Sequence, residues 1–247
     1  MTPLQRTRVE KAAADCGFDL SPKWEGDGLR MRSNQFPETV LVLCLLDDEF
    51  EVLASNPVLL PREAPKDKAL AVSGWKSLYS VLDAASACAR TLPNRVAQRF
   101  KTVTAHMPKS TEAERLVVQR VGQNLFREAL LEFWNGKCCV TGLAIPALLR
   151  ASHIRPWAKC ESDEQRLDVF NGLLLSPNLD ALFDDGWVTF QDDGSMLLSN
   201  NLDEHAQRVL SVASPLFAQG LRPEHNLYLE FHRSHVFRGA GPVHVPR

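Results

Sequence analysis

Between Leu148 and Gly186 the chain spells out an order of elements: an apolar strand, a polar loop, a second apolar strand and a short helix with both ends marked. Leu148 to Ile154 reads as the first strand and brings Ser152 and His153 to its end, ahead of Pro156 and Trp157. Asn171-Gly172 opens the second, Leu173 to Leu175. Ser176 is placed to cap the helix, Pro177 suits its first position, and Gly186 suits its exit. No other stretch constrains the fold as tightly as this strand, loop, strand, helix order.

The helix also carries a chemical signal. Asp180 and Asp184 are four residues apart and stack on one face, while Leu179, Leu182 and Phe183 cover the other. Like charges at that spacing repel, and a carboxylate in the last turn opposes the helix dipole, each by a few tenths of a kcal/mol. A bound cation reverses both penalties. Oxygen donors favour a hard ion, so Mg²⁺ or Mn²⁺ is more natural than Zn²⁺. His153 supplies the side chain best suited to accept a proton from water near neutral pH.

The run Ala-Ser-His-Ile-Arg-Pro-Trp from Ala151, followed by Asn171-Gly172-Leu173 and by Leu179-Asp180-Ala181-Leu182-Phe183-Asp184, resembles the HNH endonucleases. The resemblance spans roughly residues 110 to 200 and takes in Gly122-Gln123, Phe126-Arg127 and Cys139-Val140-Thr141-Gly142. It implies a ββα-metal motif in which His153 is the general base, Asn171 braces the loop, and Asp180 and Asp184 hold a divalent ion. Two positions depart from the common pattern. Ser152 stands where many members place Asp or His and is a weaker metal ligand, and Asp180 replaces the usual third-motif His. The implied activity is hydrolysis of phosphodiester bonds in double-stranded DNA, with a restriction-like or other defence role, and a homodimer is compatible with cutting both strands. A copy of the fold that binds nucleic acid without cutting it, and a nuclease acting on RNA, are the competing readings.

Around this segment Arg155, Arg127 and Lys159, with Arg150, are candidates for phosphate contacts, Arg155 foremost because it follows His153 by two on a strand. Trp157 beside Pro156 reads as closing a core. His225, His232 and His235 show no ligand spacing, and His232-Arg233 falls on a terminal helix. Asp192-Asp193-Gly194 is a hairpin turn whose acids are not metal ligands. With no phosphate-cradling glycine loop, nucleotide-driven motor activity is not indicated.

Upstream, the chain reads as a short helix over residues 4 to 16, with Leu4, Val9, Ala12 and Ala13 apolar and Gly17 as its stop. Strands follow at Leu29 to Arg32, Val40 to Leu46 and Phe50 to Ala54, the last two a hairpin across an acidic turn at Asp47 to Glu49. Prolines 57, 61 and 65 mark a loop, and Trp75 to Phe100 is helical with a break near Pro93. Arg95, Arg99 and Lys101 form a small charged face there. His106 to Ser110 reads as a linker. Thr111 and Glu114 form a capping-box signature for a long helix that ends at Asn135-Gly136.

The expected architecture is therefore α+β: an N-terminal α/β accessory domain over residues 1 to 105, which selects the target, and an HNH nuclease domain with a helical extension over residues 106 to 247. A length of 247 residues, 45% of them hydrophobic, suffices for two small cores. The net charge of -2 lacks the broad positive field common in nucleic-acid binders, although phosphate contacts need only a local cluster. None of the six cysteines forms a Cys-x-x-Cys pair; Cys138 and Cys139 are expected on opposite faces of a strand. The longest apolar run, Thr39 to Leu46, is too short to span a bilayer, and the N-terminus lacks a secretory pattern, which points to the cytoplasm.

Overall fold

The computed structural model describes residues 2–45, 48–61, 69–108, 110–213 and 215–239. The chain divides into two compact units, Met1–Leu92 and Pro93–Arg247.

In the first unit, α1 (Pro3–Asp15) starts with a capping box between Thr2 and Gln5 and ends at Gly17, whose φ of +86° suits a residue without Cβ. Val9, Ala12 and Ala13 are buried as expected, whereas Leu4 is exposed. Five strands follow, β1 (Leu20–Glu25), β2 (Gly28–Arg32), β3 (Val40–Cys44), β4 (Glu49–Ala54) and β5 (Leu70–Ser73), forming one antiparallel sheet in sequence order. The pairings Leu29↔Val42, Met31↔Val40, Val42↔Val52 and Phe50↔Val72 place every member on one buried face. Helix α2 (Trp75–Thr91) packs against β5 and against α1. β1 and β5, the edges of this sheet, go beyond the strands expected from apolar alternation. Of the acidic turn and the proline loop, Asp47 and Pro65 lie outside the described residues, as does Leu46 at the end of the apolar run.

The second unit begins with α3 (Pro93–Thr104). Leu92 leaves the helical conformation (φ -48°, ψ 140°), the bias expected before proline. The helix packs on α4 (Glu112–Phe133), with Arg99 Nη1 3.1 Å from Glu128 Oε2, so the sequence reading's boundary near residue 105 and the division at Leu92 differ by one helix. In α4 the Thr111–Glu114 capping box forms: Thr111 Oγ1 accepts from Glu114 N at 3.2 Å and Glu114 Oε2 accepts from Thr111 N at 2.9 Å. The helix closes in a Schellman motif. Gly136 N donates to Leu131 O at 2.7 Å, with Asn135 (φ +49°) in the left-handed position.

The strands β6 (Arg150–His153) and β7 (Gly172–Leu175) pair antiparallel, His153 opposite Gly172. Between them lie a polar loop and the single turn α5 (Asp163–Arg166). Helix α6 (Pro177–Asp184) packs on β6, giving the ββα order. Residues 146–148 form a 3₁₀ turn, so the first strand is shorter than its apolar run suggests. The hairpin β8 (Val188–Phe190) and β9 (Met196–Leu198) turns at Asp192-Asp193-Gly194, where Asp193 accepts from Ser195 N at 2.8 Å. After α7 (Glu204–Val209), helix α8 (His225–His235) packs on β8 and on the turn before β7. Cys138 and Cys139 are both buried, but in a turn rather than a strand. No helix among the described residues is long and apolar enough to cross a membrane.

Candidate active site

Helix α4 is the platform against which the site is built. A Cβ at Gly172 would lie 2.6 Å from Phe126 Cζ, so only glycine lets β7 lie this close to the helix. At Gly122 the same space is filled by Trp157, whose Cη2 would be 2.9 Å from a Cβ. The ring of Phe126 stacks on His153 with centroids 3.8 Å apart and planes 16° apart, and Trp157 meets the imidazole edge-on at 5.4 Å. This aromatic pair holds the ring in place.

His153 Nε2 lies 2.9 Å from Arg166 O. A carbonyl only accepts, so Nε2 carries the proton and Nδ1 keeps its lone pair. Among the described residues Nδ1 has no hydrogen-bond partner. Burial lowers the imidazole to about 4, against a smaller opposing pull from the Arg166 carbonyl. His153 is therefore neutral at physiological pH, with one nitrogen anchored and the other able to accept.

Asn171 is fully buried and ties the loop on both sides. Its Oδ1 accepts from Arg155 N at 2.7 Å, and its Nδ2 donates to Gln165 O at 3.0 Å and Arg155 O at 3.2 Å. Cys160 Sγ accepts from the same amide at 3.4 Å. The loop leaving His153 and the segment supplying the Arg166 carbonyl are thus fixed by one side chain.

On the other side of β6, Ser152 Oγ donates to Asp184 Oδ1 at 2.8 Å. Asp180 lies in the first turn of α6 and Asp184 at its last residue. Burial raises both carboxyls above their ordinary range; the charge of Asp184 adds to the rise at Asp180, and the hydrogen bond from Ser152 opposes it at both. Ser176 stands at the N-cap, yet its hydroxyl donates to Asn178 Oδ1 at 2.9 Å instead of capping the helix. The exit of α6 is as expected: Gly186 has φ +71°, and a Cβ there would collide with the Val236 carbonyl.

A cleft of about 310 Å³ opens on this arrangement, and its walls include His153, Trp157, Asp184 and His232. The structure thus brings His153 and Asp184 to one cavity, with Ser152 bonded to Asp184 and Asn171 bracing the loop behind. The basic residues are placed differently. Arg155 lies past the end of β6, so strand alternation does not direct it; its Nε donates to Lys159 O at 2.8 Å, its Nη2 to Glu161 at 2.9 Å, and its guanidinium lies 4.6 Å over Phe231. Arg127 donates to Leu149 O at 2.7 Å and Pro146 O at 2.8 Å, tying α4 to the segment before β6. Lys159 is exposed.

Three participants carried no sequence signal for the contact they make. Phe126 and Trp157 stand within the motifs of the resemblance with no role attached, Trp157 reading as closing a core, and His232, with no ligand spacing, reads as structural or exposed. Only the apposition of elements distant in sequence shows what each one touches.

Two strands and a helix around one neutral histidine and a pair of carboxylates define a ββα centre. Residues 138–191 match the sequence model of a family described as HNH endonuclease, so this segment is an HNH endonuclease domain, of a family that acts on nucleic acid. No curated protein matches the chain.

Proposed function

We propose that this protein is a metal-dependent endonuclease that hydrolyses phosphodiester bonds in double-stranded DNA. The observation that carries the reading is the state of His153: neutral, with Nε2 fixed to the Arg166 carbonyl and Nδ1 free to accept a proton beside a cleft that Asp184 also lines.

The donor set suits a hard divalent ion. Asp180 and Asp184 offer two carboxylates, Ser152 a hydroxyl already bonded to one of them, and no group of three or more His, Cys, Asp or Glu side chains able to hold a metal occurs among the described residues. Mg²⁺ is commonly held in this way, by one or two carboxylates with water and substrate phosphate completing its shell, and Mn²⁺ accepts the same donors. When bound, the ion supplies Lewis-acid polarisation of the scissile phosphate. His153 Nδ1 takes the proton from the attacking water while Nε2–H stays on Arg166 O, so the ring need not turn. Asn171 holds the loop that supplies that carbonyl. Asp180 and Asp184 bind the cation, and Ser152 orients Asp184. Lys159 and Arg150, both exposed, remain the phosphate contacts among the basic residues, with Arg155 and Arg127 bracing the loops. The N-terminal unit, outside the matched segment, selects the target in a restriction-like or defence role.

Incubating the full chain with plasmid DNA and, separately, with RNA in Mg²⁺ or Mn²⁺ tests this. The wild type is expected to nick and linearise plasmid, chelation to stop it, and His153→Ala to slow it by roughly 100-fold or more. If wild type and His153→Ala were equally inert while both bound DNA, the fold would be a binding module. Cleavage of RNA alone would overturn the substrate.

A further inference from the structure

Helix α8 lies outside the segment matched to the family, yet its buried face reaches both halves of the site. Tyr228 and His232 are one turn apart and almost fully buried. Tyr228 Oη donates to Asp168 Oδ2 at 2.8 Å, on the turn that ends at Asn171. His232 reaches the other half, with Nε2 3.0 Å from Phe183 O and Nδ1 2.9 Å from Thr189 Oγ1. One tautomer satisfies every group: Nε2 donates to the carbonyl, and Nδ1 accepts from the Thr189 hydroxyl. The ring also stacks on that of Phe183, centroids 3.9 Å apart and planes 3° apart.

What these contacts secure is the peptide linking Phe183 to Asp184. Helix α6 is only eight residues long, and Asp184 is its last, where helices fray. Phe183 O accepts from Gly186 N at 2.9 Å in the helix's own closing turn and from His232 Nε2 as a second donor. Because the peptide is planar, holding that carbonyl holds the Asp184 nitrogen and with it the direction of the Asp184 side chain. The chain beyond α8 adds a further tie, Arg238 N donating to Gly186 O at 2.8 Å. A buried aliphatic side chain would fill the same space without fixing this peptide.

We propose that His232 is a positioning residue for the carboxylate pair on α6, so that the cation site is complete only with α8 in place. This rests on the reading that Asp180 and Asp184 hold a divalent ion. The helix contributes no ligand; it sets the orientation in which the last-turn carboxylate meets the cation.

Mn²⁺ binding to the full-length chain, followed by electron paramagnetic resonance with thermal unfolding recorded alongside, tests the assignment without relying on cleavage. His232→Leu is expected to weaken Mn²⁺ binding by roughly 10-fold, the range found when partners that orient metal ligands are lost. In His232→Gln the amide nitrogen can replace Nε2 against Phe183 O, and affinity is expected to return to within about 3-fold of wild type. Tyr228→Phe removes a part-buried hydrogen bond from the same helix without touching α6 and should leave the affinity unchanged. Equal affinity in His232→Leu and wild type overturns the inference, as does an equal loss in Tyr228→Phe, which would mark general loosening. Should His232→Leu fail to fold, Thr189→Val removes only the group that orients the ring; a loss of affinity there supports the assignment and an unchanged affinity overturns it. A wild type that binds no Mn²⁺ brings down the metal reading itself, whereas wild-type binding unaffected in His232→Leu removes only the role of His232.

Discussion

The two units hold their sheets by different means. In the N-terminal unit five strands pair in sequence order, and one face of apolar side chains, from Leu29 and Met31 through Val40, Val42, Phe50 and Val52 to Val72, makes the core. The C-terminal unit has two separate two-stranded sheets among the described residues, β6–β7 with four residues a strand and β8–β9 with three, too little sheet to stand without packing against helices. Side-chain hydrogen bonds hold much of it together. Among the described residues the buried polar side chains of the first unit are Ser33, Ser86 and Thr91, against nine in the second, among them Ser152, Asn171, Thr189 and His232. Carboxyl groups held low by surface hydrogen bonds occur in both units, Asp15, Asp19 and Glu25 in the first and Glu114 and Glu164 in the second, but the carboxyls that burial raises, Asp168, Asp180 and Asp184, belong to the second. A core of apolar contacts tolerates small losses because they are shared. A site held by polar groups does not, since each unpaired buried group costs its full desolvation.

The contrast can be broken most directly at Asn171. Replacing it with Ala strands the Arg155 amide and the Gln165 carbonyl, and the expected loss is roughly 3 kcal/mol in chemical denaturation. A loss under about 1 kcal/mol would show the loop to be held from elsewhere. Val42→Ala, at the centre of the N-terminal sheet, should cost roughly 2 kcal/mol, from lost apolar burial and a partly collapsed cavity. If it cost as much as Asn171→Ala, the apolar core would be no more forgiving than the polar one.

The smallest expected effect is a slope rather than a step. Burial raises Asp168 to about 6, against about 3.9 in an unfolded chain, while its bond from Tyr228 pulls the other way. The folded state therefore holds this proton more tightly, so the contribution of Asp168 to stability falls as pH rises through that window and levels off above it. Burial lowers His153 and His232 to about 4 each, which makes stability fall as pH drops from about 6.5. The two trends overlap. Only the difference between wild type and Asp168→Asn, measured by urea denaturation across the window, isolates the carboxyl. That difference should change with pH below about 6 and be constant above it. A difference independent of pH would mean that Asp168 titrates alike in the folded and unfolded chain and that the site is less buried than its contacts imply.

Much of the skeleton was legible where the signal is local. The Thr111–Glu114 cap, the exit at Asn135-Gly136, the bounds of α6 and the β3–β4 hairpin all follow from residues within a few positions of one another. β1 and β5 were not. β1 contains Pro22, has a register shift between Leu20 and Lys23, and alternates only weakly in burial, as an edge strand can. The notional strand through Cys138 and Cys139 and the cap by Ser176 failed because a suitable residue type does not choose its partner. Asn178 took the Ser176 hydroxyl, and a turn took the cysteines.

The site divides along the same line. The sequence alone determined its order of strand, loop, strand and helix and that Asp180 and Asp184 share one face of α6, because spacing on a helix fixes which residues stack, while His153 and Asn171 entered as candidates through the resemblance. Only the tertiary structure decided that Ser152 bonds Asp184, that Phe126 and Trp157 hold the imidazole, that Arg127 and Arg155 brace loops, and that His232 grips the end of α6. Many of those partners lie more than twenty residues apart, and hydrogen bonds at that separation are set by how helices and strands pack. No local period records them.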